Sequence, residues 1–370
     1  MKQFIGCDAH KSYSVFVAVN QAGQVSRGIK VLHNGDCMRE FLEALPAGSE
    51  IAVEAGGSYY WIVDAISGAG HVPHLAHPTA SRRRIGGRHK TDERDARGCA
   101  ELLRSGLLPE VWIPPRPLRD ERELLRWRMF LAANRTQFKD RIHGVLRQYN
   151  LQIDVSDVFG VQGRQALTAR QAELPPHTRE SLSHQLRALE LCEWQLEECE
   201  RQLEAMLCDN AATRLLQTLP GVGRILSKVL ALEIGAVERF PGAAQLASYA
   251  GLVPRAYNSG GHCWQGRCGK DVNHYLKWAY VEAASVVVRQ QQRRRGTHVL
   301  RLYQRVRRKT DSYGKAAVAV GRHLAEASYW MLRRQQEYRD PGGLPVKGRP
   351  VKSRRCQGKR VLPLAPEASV

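Results

Sequence analysis

No stretch of this sequence approaches the roughly twenty apolar residues that a membrane-spanning helix requires. The short apolar run at its start is cut by Asp8 before a signal-peptide core could form, so a soluble, unsecreted, cytoplasmic protein is expected. Paired cysteine spacings are missing too: nine cysteines, an odd number scattered from Cys7 to Cys356, fit reduced thiols better than a disulfide framework. Compositional bias of the collagen-like, low-complexity or acidic disordered kind is absent, with 43% hydrophobic and 25% charged residues, and 370 residues suit two or three domains. What is scarce is negative charge. Lys plus Arg number 56 against 36 for Asp plus Glu, a formal +20. That field attracts polyanions, with nucleic acid the first candidate and an anionic membrane surface the second.

The basic excess is concentrated late: residues 281–370 hold 21 Lys and Arg against 6 Asp and Glu, a net +15. Beyond Pro341 the chain turns rich in Pro, Gly, Lys and Arg, which predicts a mobile tail. Earlier, residues 2–33 alternate in the manner of strands, with Tyr13, Val15, Val17 and Val19 on one face, a turn at Asn20 to Gly23 and a second strand from Gln24 to Leu32. An amphipathic stretch (Met38, Phe41, Leu42, Leu45), a strand from Glu50 to Val53, a helix from Tyr59 to Ser67, a strand near His71 to Leu75 and a basic loop follow. Strands alternating with helices predict an α/β layer. From Asp92 onward the periodicity is helical almost to the end, broken by a Pro-rich boundary at Ile113 to Leu118.

Between Glu180 and Leu207, Leu182, Leu186, Leu189, Cys192, Leu196, Cys199, Leu203 and Met206 recur at spacings of three and four. This coiled-coil-like helix suits an intramolecular helical hairpin or a dimer zipper equally. The run Leu219-Pro220-Gly221-Val222-Gly223 between apolar helical stretches reads as a helix-hairpin-helix, in which Gly221 and Gly223 allow close approach and the next helix offers backbone N–H groups to a phosphate.

Four carboxylates sit where metal chemistry would want them. Asp8 follows the apolar residues of the first strand, Glu54 ends Ile51-Ala52-Val53, and Asp92 and Asp95 lie three apart at a helix start, hence on one face. Strand ends and a helix N-terminus can converge at one sheet edge and hold two Mg2+ about 4 Å apart for phosphoryl transfer. The plainer alternative makes Asp92 an N-cap, Asp95 a first-turn acid favoured by the helix dipole, and Asp8 and Glu54 solvated strand ends. Beside the acids, Ser81 to Lys90 form a basic, glycine-hinged loop, with Arg82, Arg83, Arg84, Arg88 and Lys90 as candidate phosphate contacts.

In order and separation, Gly6-Cys7-Asp8-Ala9-His10-Lys11, Val53-Glu54-Ala55-Gly56-Gly57-Ser58-Tyr59 and Lys90-Thr91-Asp92-Glu93-Arg94-Asp95-Ala96 resemble the DEDD motifs of the insertion-sequence 110 family of transposases, its 1111 group and the related Piv-type DNA invertases. Downstream, Leu219 to Gly223, Phe240-Pro241, Leu246 to Pro254 and Asn258-Ser259-Gly260-Gly261 resemble the family's second, transposase domain. The resemblance spans roughly residues 3–290 and implies a RuvC-like, ribonuclease-H-fold catalytic domain over 1–112. It further implies a helical and coiled-coil region over 113–210, a mainly helical transposase domain with a catalytic serine over 211–335, and a basic tail over 336–370. It implies Asp8, Glu54, Asp92 and Asp95 as ligands of Mg2+ and Ser259 as the nucleophile that forms a serine–phosphate ester with DNA. It implies further a structured RNA from the element that bridges target and donor DNA, and a homo-oligomer, dimer or tetramer. The run His262 to His274 departs from the more basic, Gly-Asn-containing run of relatives, lacking the glycine before Asn273.

Remaining signals point less far. His262, Cys263, Cys268 and His274 miss usual zinc spacings, and His71, His74 and His77 straddle a strand and a loop rather than one helix face. Arg293, Arg294, Arg295, Arg307 and Arg308 are candidate nucleic-acid contacts. Two rivals stay open: a RuvC-like nuclease or junction resolvase in which water attacks and Ser259 is structural, and an architectural nucleic-acid binder in which the carboxylates are caps.

Overall fold

A computed structural model describes residues 3–86, 91–207, 210–260 and 262–342, and the chain divides into two compact units, Met1–Pro115 and Arg116–Val370. In the first, the strands β1 (Gln3–Ala9), β2 (Tyr13–Asn20), β3 (Ile29–Leu32), β4 (Glu50–Glu54), β5 (Val72–Ala76) and β6 (Glu110–Val111) form one sheet in the order β3-β2-β1-β4-β5-β6. β1 runs antiparallel to β2 and parallel to β4, and β4 parallel to β5. The crossovers are helical: α1 (Cys37–Glu43) and α2 (Tyr59–Gly68), then α3 (Pro78–Ile85) and α4 (Asp92–Arg104).

Strand alternation sends the sheet's side chains into two cores. Ile5, Cys7, Phe16, Ile51 and Val53 pack with Met38 and Leu42 of α1 and Ile62 and Ile66 of α2. On the opposite face Phe4, Ala52 and Ala76 meet Cys99 and Leu103 of α4, and Val15 and Val17 meet Ala96. Gly6 lies on this second face, and a Cβ there would stand 1.8 Å from the Ala96 carbonyl oxygen. The absent side chain lets α4 lie directly on the backbone of β1.

Two expectations for this unit need correction. The second strand of the opening meander begins at Ile29 rather than Gln24, because Gly28 gives its N–H to Glu93 Oε1 at 2.8 Å instead of to a neighbouring strand. The basic segment after β5 is helical where it is described, not a loop: Pro78 sits in the first turn, His77 accepts from the Ala80 N–H, and Arg82, Arg83 and Arg84 fill the last turn. Proline at a helix start and cations at its end both favour helix.

The second unit contains α5 (Arg116–Gln148), α6 (Val161–Arg170), α7 (Pro176–Leu207), α8 (Ala211–Leu216), α9 (Arg224–Ile234), α10 (Ala243–Tyr249), the ribbon β7 (Pro254–Ser259) and β8 (His262–Cys268), α11 (His274–Arg289), α12 (His298–Thr310) and α13 (Tyr313–Arg334). α5 and α7 pair antiparallel, as the Arg128–Glu200, Lys139–Glu193 and Tyr149–Thr178 contacts require. Leu182 and Leu189 pack with Ile142 and Leu146, while Cys192, Leu196 and Cys199 pack with Leu131. Of the two readings of the spaced leucines, the helical hairpin within the chain is the one seen. Leu125 and Leu203, at one end of this pair, join the large core of α8 to α13.

A fully buried carboxylate ties that end together. Glu233 of α9 takes two hydrogen bonds from Arg126 of α5, at 2.8 and 3.0 Å, and one from Asn273 Nδ2 at 2.8 Å. Arg122 donates to the Leu232 and Glu233 carbonyls, and Asn273 also caps α11 by accepting from the Leu276 N–H. Among the described residues, no helix is long and apolar enough to cross a membrane. The β7–β8 ribbon interrupts a region expected to be helical. Its sequence, with glycines at 260, 261 and 266, lacks the 3.6-residue apolar repeat, and Gly260 takes φ +55° in the turn between Ser259 and His262.

Candidate metal and catalytic site

Asp8 stands next to last in β1 and Glu54 ends β4. The parallel register pairs Gly6 with Ala52 and Cys7 with Val53, so Asp8 and Glu54 are the next pair along, on the face that α4 covers. Asp92 and Asp95 belong to the first turn of α4, where the helix dipole favours negative charge. The Cys99 thiol, one turn beyond Asp95, is pushed up to about 12, first by burial and then by the charges of Glu54, Asp8 and Asp95. One buried sulfur therefore senses three of the four carboxylates.

The fourth meets Asp8 through a histidine. His10 Nε2 lies 3.3 Å from Asp8 Oδ2 and 3.1 Å from Asp92 Oδ2, and Tyr13 donates its hydroxyl to Asp92 Oδ2 at 2.9 Å. That hydrogen bond is the main reason the Tyr13 phenol titrates above its ordinary value. The His10 and Tyr13 rings stack at 4.7 Å, and Lys30 Nζ sits 3.9 Å from the Tyr13 ring centre. Ligand atoms of Asp8, His10 and Asp92 lie within 4.8 Å of one another, close enough to share one cation.

Capping decides what the Asp92 carboxylate does. The plain reading makes Asp92 the N-cap of its helix, but Thr91 is the cap, accepting from the Arg94 N–H at 3.3 Å, and Asp92 is the first helical residue. Its carboxylate faces His10 and Tyr13 instead of the helix backbone. Sequence reasoning missed both of these partners. The signal for His10 is in the sequence, two residues after Asp8 within the same motif; for Tyr13 the alternation gives only a strand face.

The other candidates scatter. Arg82 and Arg83 are exposed at the end of α3, and Arg84 donates to the Leu107 carbonyl. Arg88 and Lys90 lie outside the described residues. Gly221, with φ +80°, is a packing glycine: a Cβ there would sit 2.1 Å from the Ala283 carbonyl of α11, so its close approach is to a helix rather than to a phosphate. Gly223 does precede an open helix start, as N-cap of α9. Ser259 is the last residue of β7 and pairs with His262. Arg293 and Arg295 are exposed, whereas Arg294 is half-buried and burial lowers its guanidinium below the ordinary range, which makes it a poor surface contact. Arg307 pairs with Asp311, and exposed Arg308 lines a groove of about 580 Å³ with Arg301 and Arg305 on one face of α12.

The spaced histidines do separate work: His71 bonds the Leu42 carbonyl, His74 lies between Glu50 and Glu110, and His77 caps α3. Of the zinc reading, Cys268 is a free thiol and the Cys263 side chain lies outside those described. Among the described residues, Asp8, His10 and Asp92 are the sole gathering of metal-ligating side chains.

Residues 5–151 match a DEDD-type transposase family of the IS110 group, and residues 213–299 match the family described as "Transposase IS116/IS110/IS902 family". A "Probable family 20 transposase" of Pseudomonas aeruginosa is 26% identical over 263 residues, 68% of this chain and 75% of the relative. The transposase for insertion sequence element IS1111A of Coxiella burnetii is 24% identical, covering 80% of each chain. The transposase for insertion sequence element IS1328 of Yersinia enterocolitica is 28% identical over 60% of this chain and 66% of its own length.

Proposed function

The chain belongs to the IS116/IS110/IS902 family of insertion-sequence transposases, and from that premise we propose that it exchanges DNA strands through a serine–phosphate ester formed at Ser259, assisted by Mg2+ held among Asp8, Glu54, Asp92 and Asp95. The observation that carries this reading is the convergence of two adjacent parallel strand ends and the first turn of α4 on one small volume. Carboxylates gathered so closely repel one another unless cations sit among them, and hard divalent cations take oxygen ligands. Two of these carboxylates, Asp8 and Asp92, gather with His10 closely enough to hold one cation, while Glu54 and Asp95 lie outside that group and join the reading through their strand-end and first-turn positions. When bound, two Mg2+ would stabilise charge on the attacking and leaving oxygens of a phosphoryl transfer. The order β3-β2-β1-β4-β5, antiparallel and then parallel, supports a RuvC-like reading of the first unit.

The remaining steps belong to the protein's own groups. The Ser259 hydroxyl forms a bond to a DNA phosphorus as the bond to the 3′ oxygen breaks, and the serine proton ends on that departing oxygen. Attack on the ester by the 3′ hydroxyl of another strand rejoins DNA and returns the serine, so no free break is left. The net +15 of residues 281–370, with the basic face of α12, supports binding of nucleic acid. Guidance by an RNA of the element, and a dimer or tetramer acting in the cytoplasm on two DNAs at once, complete the proposal.

The test is junction sequencing in cells that carry the gene with its flanking DNA and a target plasmid, for the wild type, Ser259→Ala and Asp92→Asn. Accurate junctions in the wild type, lost in both variants, are expected. Junctions that persist in Ser259→Ala would overturn the serine step and favour hydrolysis by a nuclease.

A further inference from the structure

The β7–β8 ribbon carries more than the serine. Tyr257 and Trp264 pair directly across it, their rings parallel within 17° and 5.7 Å apart between centroids, and they stay 44% and 54% exposed. The Tyr257 ring lies over Gly266, where a Cβ would stand 2.8 Å from its Cε2. The missing side chain at 266 lets the tyrosine lie flat along the strand. From Pro254 to Cys268 the ribbon has Arg255, His262 and Arg267 and no Asp or Glu. Flat, exposed aromatic surface with neighbouring cations and no anions is what a nucleic-acid strand with unpaired bases requires: rings to stack on and charge for the backbone.

We infer that Tyr257 and Trp264 form a stacking platform for an unpaired nucleobase of a single-stranded nucleic acid. A second stacked pair, Trp127 and Phe130 of α5, serves as a control. It is also exposed and its helix is basic, but acidic residues at 120, 121, 123 and 140 stand among the nine cations there, whereas the ribbon has none. Strand alternation sets position 259 on the same face of the ribbon as position 257, about 7 Å further along. A base held on the platform would bring its own sugar–phosphate backbone to the serine's position. The platform does not depend on Ser259 being the nucleophile, since stacking precedes any chemistry.

Binding of the full chain is measured by fluorescence anisotropy in EDTA, against a mixed-sequence DNA single strand, the RNA of the same sequence, a DNA strand of abasic residues and a duplex. For the wild type, removing the bases should weaken binding at least fivefold, near the lower end of what stacking of one base provides. Trp264→Ala should lose a similar factor on the based strands and nothing on the abasic strand or the duplex, Trp264→Phe should lose less, and Trp127→Ala should bind like the wild type. The DNA and RNA arms identify which strand the platform prefers. Equal binding of based and abasic strands by the wild type would overturn the inference, and this comparison needs no variant to fold. A loss in Trp264→Ala that is the same on abasic strand and duplex would also overturn it, marking the pair as a structural cross-strand contact.

Discussion

The carboxylates of the first unit stand on strands locked in a parallel ladder and on a helix whose axis rests against glycine backbone, whereas Ser259 ends a two-stranded ribbon whose residues Arg255 to Asn258 are exposed. The first arrangement allows little adjustment, because Asp8 and Glu54 can shift only if the sheet shifts. The second depends on a hairpin, and an isolated two-stranded hairpin is marginal in water. Metal ligation needs donors fixed to within tenths of an ångström before the ion arrives. As the proposed nucleophile, Ser259 must meet a strand, bond to it and release it, and a ribbon that can follow its substrate would serve it.

The widest gap between the regions should appear in what each variant leaves intact. Asp8→Asn should cut recombination junctions roughly a thousandfold, as expected when several kcal/mol of charge stabilisation are lost, and should also weaken Mn2+ binding followed by electron paramagnetic resonance. Ser259→Ala should cut junctions as severely with unchanged Mn2+ binding. Weakened Mn2+ binding in Ser259→Ala would erase the division of labour.

Next in size is a stability effect confined to the second unit. Glu233→Ala leaves Arg126 and Arg122 without their buried carboxylate, and breaking such a pair costs about 3–5 kcal/mol. Calorimetry should therefore show a lowered transition for that unit and an unshifted one for the sheet. A common shift of both would mean that the two units unfold as one. Smaller again is the effect of His10→Ala, which should weaken Mn2+ affinity roughly tenfold, at the low end for a group that binds or orients a metal ligand. Unchanged affinity would reduce His10 to an ion-pair partner.

The smallest effect is a pH slope. The folded Cys99 thiol holds its proton up to about 12 against an ordinary value of 9.0, so between those values the unfolded chain loses a proton that the folded chain keeps. Stability of the first unit should then be whole below pH 9 and fall above it by up to about 1.4 kcal/mol per unit of pH. Denaturant titrations at pH 8 and 10.5 should find a shallower fall in Cys99→Ala, and an equal slope would show that the thiol is not the group responsible.

How far the site could be read from sequence follows the same division. Asp8 and Glu54 were legible because an acid closing an apolar strand breaks the alternation at a strand end, and Asp92 and Asp95 because a spacing of three shares a helix face. Whether they meet is a matter of topology: the α/β alternation allows it, and of the four only Asp8 and Asp92 share a close group, through His10. The identity of the cap was not legible: Thr91 and Asp92 are both good N-caps, and only the backbone decides which side chain turns inward. Tyr13 was hidden for a related reason, since a strand pattern tells which face a residue occupies and not which carboxylate its hydroxyl reaches. The β7–β8 ribbon escaped because two short strands among long helices carry too few residues to establish a period of two. Arg82 to Arg84 looked like a loop because charge density outweighed the proline at the helix start.

Glu233 has a consequence for how the second unit opens. One buried carboxylate is shared by α5, α9 and the cap of α11, so α5 and α9 cannot part without stranding a charge in apolar surroundings, and α11 cannot leave without taking a hydrogen bond from that carboxylate. In native-state hydrogen exchange the amides at the centres of these helices should become accessible together, with a single opening free energy, as one cooperative block. The β7–β8 ribbon, none of whose described side chains bonds that carboxylate, should exchange on its own and sooner.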